Sequence, residues 1–160
     1  PVSNVFTGNT RLGILDAVWK WAPNGNSTRT SLTLQGEYFR RLESGSLVYD
    51  EGGQALADSF RSAQSGWYAQ AVYKFLPEWR VGLRYDRLDV GNVNASSNTE
   101  NLYLPSYSPN RTTLMFDWAP SEYSRVRLQL AQDRARYGLT DNQIMIQYMM
   151  SLGSHGAHGY

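Results

Sequence analysis

One face apolar, the next residue polar, over and over: this two-residue rhythm limits the fold more than anything else in the sequence. From Asp141 to Leu152, the positions Ile144, Ile146, Tyr148, Met150 and Leu152 share one side. Gln143, Met145, Gln147, Met149 and Ser151 share the other. A period of two predicts a β-strand, because successive side chains of an extended chain point in opposite directions.

The rhythm recurs six more times. In 10–22, Gly13, Leu15, Ala17, Trp19 and Trp21 oppose Asp16 and Lys20. In 30–42, Leu32, Leu34, Gly36 and Tyr38 oppose Gln35, Glu37 and Arg41. In 66–75, Trp67, Ala69, Ala71, Tyr73 and Phe75 oppose Gln70 and Lys74. In 79–88, Trp79, Val81, Leu83 and Tyr85 oppose Arg80, Arg84 and Asp86. In 110–119, Thr112, Leu114, Phe116 and Trp118 oppose Arg111, Thr113 and Asp117. In 124–134, Val126, Leu128 and Leu130 oppose Arg125, Arg127, Gln129 and Asp133. No helical periodicity exceeds a turn or two. The chain is expected to be all-β, with seven up-and-down antiparallel strands.

Between the strands, 23–29, 76–78 and 119–123 read as short turns rich in Pro, Gly, Asn and Ser. The stretches 43–65, 89–109 and 135–140 read as longer polar links, with a short strand expected at Ser46 to Tyr49. Residues 1–9 read as a loop or frayed strand end. Glu43, Asp50, Glu51 and Asp58 are expected together in one solvated external loop.

Alternation does not say which face is wet. The charge balance of +1 gives no electrostatic case for nucleic acid. The absence of Cys removes disulfides and thiolate metal sites. The mean hydropathy of −0.49 fits no membrane helix, yet barrel strands dilute their lipid face with polar residues. Aromatics gather beside the short turns (Trp19, Trp21, Tyr73, Phe75, Trp79, Phe116, Trp118) and beside the long links (Tyr38, Trp67, Tyr85). Two such bands match the interfacial girdles of transmembrane barrels. Connectors alternating short and long match periplasmic turns and external loops. The expected architecture is therefore a transmembrane β-barrel in the bacterial outer membrane, in contact with outer-membrane lipid. Bacterial single-chain barrels have even strand counts. Seven strands, with no N-terminal export signal, point to residues 1–160 as the C-terminal part of a larger barrel. A small eight-stranded barrel is the alternative.

In that arrangement the polar face lines a lumen. The pore-lining candidates are Lys20, Glu37, Arg41, Lys74, Arg80, Arg84, Asp86, Arg111, Asp117, Arg125, Arg127 and Asp133, together with Asp16. Their arginines could favour anions, and their carboxylates could neutralise that preference. His155 and His158, three apart around Gly, are candidate ligands for zinc, although two ligands make an incomplete site. No GxSxG, HExxH or P-loop pattern occurs, so no enzymatic activity is expected.

The end of the chain, DNQIMIQYMMSLGSHGAHGY, resembles the C-terminus of proteobacterial outer-membrane proteins described as porin-like or as zinc-regulated outer-membrane receptors. The matching residues are Asp141, Asn142, Gln143, Ser151, Leu152, Gly153, His155, Gly156, Ala157, His158 and Tyr160. The resemblance implies a channel or receptor passing small solutes or ions. It also implies recognition of the last strand and Tyr160 by the barrel-assembly machinery. Two other function classes remain open: a structural or adhesive barrel, and a soluble ligand-binding barrel.

Overall fold

The alternating segments are all strands, and their pairing aligns every apolar face on the same side. The computed structural model describes residues 3–50, 52–102 and 106–151. The strands are β1 (Ser3–Trp21), β2 (Ser31–Asp50), β3 (Leu56–Leu76), β4 (Trp79–Asn94), β5 (Asn110–Ser121), β6 (Ser124–Arg134) and β7 (Asp141–Met150). Each pairs antiparallel with the next, giving one open sheet in the order β1 to β7. Single 3₁₀ turns at Pro23–Gly25 and Ser96–Asn98 are the only helical elements among the described residues.

The register carries the apolar face across the sheet row by row. Trp21, Leu32, Tyr73, Val81, Phe116, Leu128 and Ile146 form one row. Trp19, Leu34, Ala71, Leu83, Leu114, Leu130 and Ile144 form the next one on the same side. These side chains are open to the surroundings, Ile144 by 76%. Phe75, Phe116, Trp79 and Trp118 make a continuous run of rings, with centroids 5.2 to 6.5 Å apart.

The opposite face is the crowded one. Leu47, Ser62, Thr113, Asp117 and Ala131, the buried non-glycine strand residues among those described, all lie on it. Crowding on one face and openness on the other mark the polar side as concave. Among the described residues, only Leu47, Ala95 and Ala131 are buried apolar residues, so the sheet has almost no hydrophobic core.

Several expected boundaries move. β1 begins at Ser3, so residues 3–9 are strand rather than loop. The expected link 43–65 is mostly strand: β2 runs to Asp50 and β3 starts at Leu56. Ser46 to Tyr49 belongs to β2 and is not a separate strand. β4 continues to Asn94, which shortens the second long link. The acidic loop therefore dissolves. Glu43 is a β2 residue paired with Arg41 at 2.6 Å, and Asp58 is a β3 residue. Asp50 ends β2 and accepts a hydrogen bond from the Gly53 amide at 2.6 Å, while Glu51 lies outside the described residues. Connector lengths no longer sort cleanly by end, since the link after β1 is longer than the link after β2. Tyr38, Trp67 and Tyr85 sit within strands, not at their ends.

The reason is a switch of faces. Below it, Leu15, Tyr38 and Trp67 form an apolar row on the convex side. One residue further, Ile14, Phe39, Gly66 and Leu88 form an apolar row on the concave side. Beyond that the convex side is mostly polar: Arg40, Ser65 and Asp89, then Arg11, Leu42, Ala63 and Asn92, then Asn9, Ser44, Arg61 and Asn94, with Val5 and Val48 paired further up. The concave side there holds Phe6 and Phe60, edge to face with centroids 5.6 Å apart. Phe6 lies over the facing pair Gly8 and Gly45; a Cβ on Gly45 would meet its ring at 3.0 Å.

Two local devices fit the chain to this shape. Val90 and Gly91 bulge opposite Gln64, where β3 and β4 shift register. Gly91 has φ +64° and its missing Cβ would drive into the Ala63 carbonyl oxygen, so only glycine fits. Above the end of β4, the 3₁₀ turn at Ser96–Asn98 packs against β3. Asn98 is fully buried and donates from Nδ2 to the Leu56 carbonyl at 3.0 Å. Ser97 donates to Asp58 from both its amide and its hydroxyl, and Ser59 and Ser96 share a hydrogen bond of 2.7 Å. Asn98 thereby satisfies a carbonyl at the upper end of β3, beyond the reach of β4.

Candidate functional site

Every charged residue expected on the polar face does lie on it, and the register sorts all of them but Arg41 into two zones. Asp16, Glu37, Tyr68, Asp86, Arg111, Asp133 and Asp141 occupy one row spanning all seven strands. Five of these seven positions are acidic. Ser31, Lys74, Arg80, Asp117, Arg127 and Gln147 occupy another row, nearer the turn at 77–78. On β4 the rows are six residues apart, about 20 Å at ~3.3 Å per residue.

Asp117 is the centre of the basic zone. Its strand pairs with β4 on one side and β6 on the other, which puts Arg80 and Arg127 directly across from it. Arg127 donates to it as a fork, Nε to Oδ1 at 2.7 Å and Nη2 to Oδ2 at 3.0 Å. Arg80 Nη2 stands 3.1 Å from Oδ2, and Arg125 Nε stands 3.9 Å from the same oxygen. The Asp117 side chain is 0% exposed. Three guanidiniums thus surround one carboxylate, an excess of two positive charges. Lys20 and Lys74 stand near the same end. With Arg80 they line a cavity of about 540 Å³ that also touches Ser27 and Thr33. Among the described residues, neither lysine has an acidic partner within 4 Å.

The acidic zone is more evenly matched. Arg84 grips Asp86 at 2.7 Å, Arg111 approaches Asp133 at 3.7 Å, and Arg136 holds Asp141 at 2.8 Å. Asp16 and Glu37 face each other directly across β1 and β2 with no cation in range among the described residues. Like charges so placed are unfavourable. Arg41 stands apart from both zones, paired with Glu43 further up β2.

Uncharged residues of the polar face, left out of the pore-lining set, knit the middle together. Gln35 donates to Tyr68 Oη at 2.9 Å, Gln70 donates to Gln35 at 3.2 Å, and Arg84 donates to Gln70 at 3.4 Å. Arg84 then closes the circuit by lying 3.7 Å above the Tyr68 ring. Arg111 reaches past Asp133 to the Gln143 side chain at 3.1 Å. The signal was available, since all four lie at alternating positions of recognised strands.

His155, His158 and Tyr160 lie outside the described residues, as does the SLGSHGAHGY tail beyond Ser151. Among the described residues, no group of three or more His, Cys, Asp or Glu is arranged to hold a metal ion. No helix there is long and apolar enough to cross a membrane.

With this geometry in place, comparison with known proteins adds one relative. No family model and no solved structure matches the chain. The chain is similar to a protein of Aquifex aeolicus (strain VF5) described as an uncharacterized protein, at 30% identity over 163 residues. That match takes in 98% of this chain and 32% of the Aquifex protein, so the chain spans about a third of its relative's length.

Proposed function

We propose that this chain forms part of the wall of a bacterial outer-membrane β-barrel, a channel or receptor through which small solutes or ions pass. The convex face would meet lipid, and the concave face would line the passage.

The switch of faces carries this reading. A soluble barrel keeps its apolar side inward along its whole height. Here the apolar side is outward only over a limited belt. On β3 it runs from Trp67 to Phe75, about 27 Å along the strand at ~3.4 Å per residue, or about 20 Å of height at a ~40° tilt. That is close to the ~25 Å apolar band of outer-membrane barrels. Past the belt the outward side turns mostly polar, Leu42, Val5 and Val48 excepted, as expected where strands leave a bilayer for water. The end with tall β1, β2 and β3 would be extracellular and the two-residue turn at 77–78 periplasmic. The resemblance of the last strand to porin-like outer-membrane proteins agrees, and implies delivery by the barrel-assembly machinery.

The strand count adds a condition. Six antiparallel steps leave β1 and β7 running the same way, so they would have to pair in parallel to close this sheet on itself. An antiparallel barrel requires an even number of strands, and an open edge in lipid costs several kcal/mol per unpaired backbone group. Further strands of the same polypeptide would complete the ring, in keeping with the greater length of the Aquifex relative.

Planar-bilayer conductance of the full-length protein tests the channel. Steady single-channel currents are expected, along with heat-modifiable migration and a requirement for detergent. Residues 1–160 alone should aggregate or remain an open sheet. A detergent-free, monodisperse, soluble protein would overturn the membrane reading. Membrane insertion without conductance would favour a structural or adhesive barrel.

A further inference from the structure

We infer that Arg80, Arg125 and Arg127 around Asp117 form a binding station for an oxyanion, a phosphate or carboxylate carried on a small solute. The inference rests on the proposal that the concave face lines a passage, and it names the class of solute that pauses there.

Asp117 can accept only a limited number of donors. A carboxylate offers about four lone-pair positions, and the Arg127 fork takes one on each oxygen. Arg80 stands 3.1 Å from Oδ2 as an ion pair and crowds that oxygen. Arg125 is left at 3.9 Å, beyond hydrogen-bond range. Its Nε is buried and has no acceptor. A buried donor without a partner is costly, and the missing acceptor is what an oxyanion would bring.

The neighbourhood fits the same ligand. A cavity of about 330 Å³ opens beside the cluster, lined by Arg80, Arg84, Asp117, Arg127, Thr113 and Gln129; Arg125 stands just outside that lining, its side chain 37% exposed, and would turn inward to reach a ligand held there. Three guanidiniums dominate its polar lining, beside two carboxamides and the Thr113 hydroxyl, and Asp117, its one carboxylate, is already engaged. Arginine is suited to phosphate and carboxylate because its planar fork matches their oxygens. Lys20 and Lys74, without acidic partners, extend the positive field toward the turn end. The acidic row about 20 Å away would repel the same ligand, so the station is a local minimum and not a uniformly attractive wall. Because the cluster lies on the concave face, its ligand would come from solution and not from the lipid that the apolar belt would meet.

The test uses inorganic phosphate and the full-length protein in detergent. Isothermal titration calorimetry should register phosphate binding. Arg125→Gln should weaken it about tenfold or more, the worth of a charge-assisted hydrogen bond. Arg125→Lys should restore part of the affinity. Asp117 keeps its Arg127 fork in both variants, so both should fold, with heat-modifiable migration as the check. Asp117→Asn, which raises the positive excess, should tighten phosphate binding. In planar bilayers, phosphate should block chloride current over the concentrations at which it binds. Absent binding, or binding indifferent to Arg125→Gln, overturns the station. Binding that persists and depends on Arg125 in a protein that conducts no current upholds the station and overturns the channel.

Discussion

Arg127 holds Asp117 through two nearly parallel hydrogen bonds across the β5–β6 pair, and the carboxylate it holds is wholly shielded from solvent. The pair anchors the basic zone. Its worth differs from that of a surface ion pair because one partner cannot turn to water instead. Arg127→Gln is expected to cost about 3 kcal/mol, in the range for stripping one partner from a buried pair. Arg80 stays within range of Asp117 and should limit the loss. Equilibrium unfolding by urea in detergent or lipid vesicles measures it. A change below about 0.5 kcal/mol would mean that Arg80 and Arg125 replace the fork completely.

Neighbouring positions on β6 should respond in opposite ways to the same substitution. Leu128 lies on the convex apolar face and Gln129 on the concave polar one. Leu128→Arg is expected to cost about 2–4 kcal/mol if the site sits near mid-bilayer, and Gln129→Arg much less. Leu83→Arg on β4 should behave like Leu128→Arg. Equal tolerance at 128 and 129, read from folding yield into vesicles, would count against lipid contact on the convex face.

At the β3–β4 bulge, Gly91→Ala should cost at least about 1–2 kcal/mol from the positive φ alone. The clash with the Ala63 carbonyl adds to this. The same substitution at Gly13, whose Cβ would meet nothing closer than 3.9 Å, should be mild. Comparing the two unfolding midpoints separates conformational strain from a general intolerance of β-strands to lost glycine.

Asp58 supplies a pH dependence outside the apolar belt. Hydrogen bonds from the Ser97 hydroxyl and from the Ser59 and Ser97 amides hold its carboxyl below the usual value of 3.8. A carboxyl depressed on folding contributes stability that is fully present above its unfolded pKa and is lost as pH falls through its folded one. The contact of the Ser96–Asn98 turn with β3 should therefore loosen only below about pH 3.8. Limited acid proteolysis within 95–102 should rise there, and Asp58→Asn should raise it at neutral pH while removing the acid-dependent step. Unchanged cleavage in the variant would show that Asn98 alone holds the turn.

The faces of the strands below the switch were legible because alternation survives even in polar sequence. Ser31 to Leu42 and Asp141 to Met150 read the same way before and after folding. The upper halves of β1, β2 and β3 were not legible. Residues such as Leu47 and Phe60 keep the period of two but stand on the opposite side from Leu34 and Tyr73. A pattern sought with one fixed apolar side breaks at Gly66 and looks like a loop. The charged residues of the polar face were legible as a set, but the Asp117 cluster was not. Asp117 and Arg127 can be matched only by counting through a turn whose register slips between Trp118 and Ser121. Arg80 is joined to them across the long 95–109 connection, where no count is possible.

The switch between Trp67 and Gly66 would also act as a waterline. In a bilayer as proposed, riding two residues higher would lift Leu15, Tyr38 and Trp67 into water. Sinking two residues would drag Arg40 and Asp89 into hydrocarbon. Either displacement would be opposed along several strands at once, so the sheet's immersion depth would be set by the chain and not by its surroundings. A thicker or thinner membrane would have to deform to meet that line. Such a wall would be better suited to one membrane thickness than to a range of them.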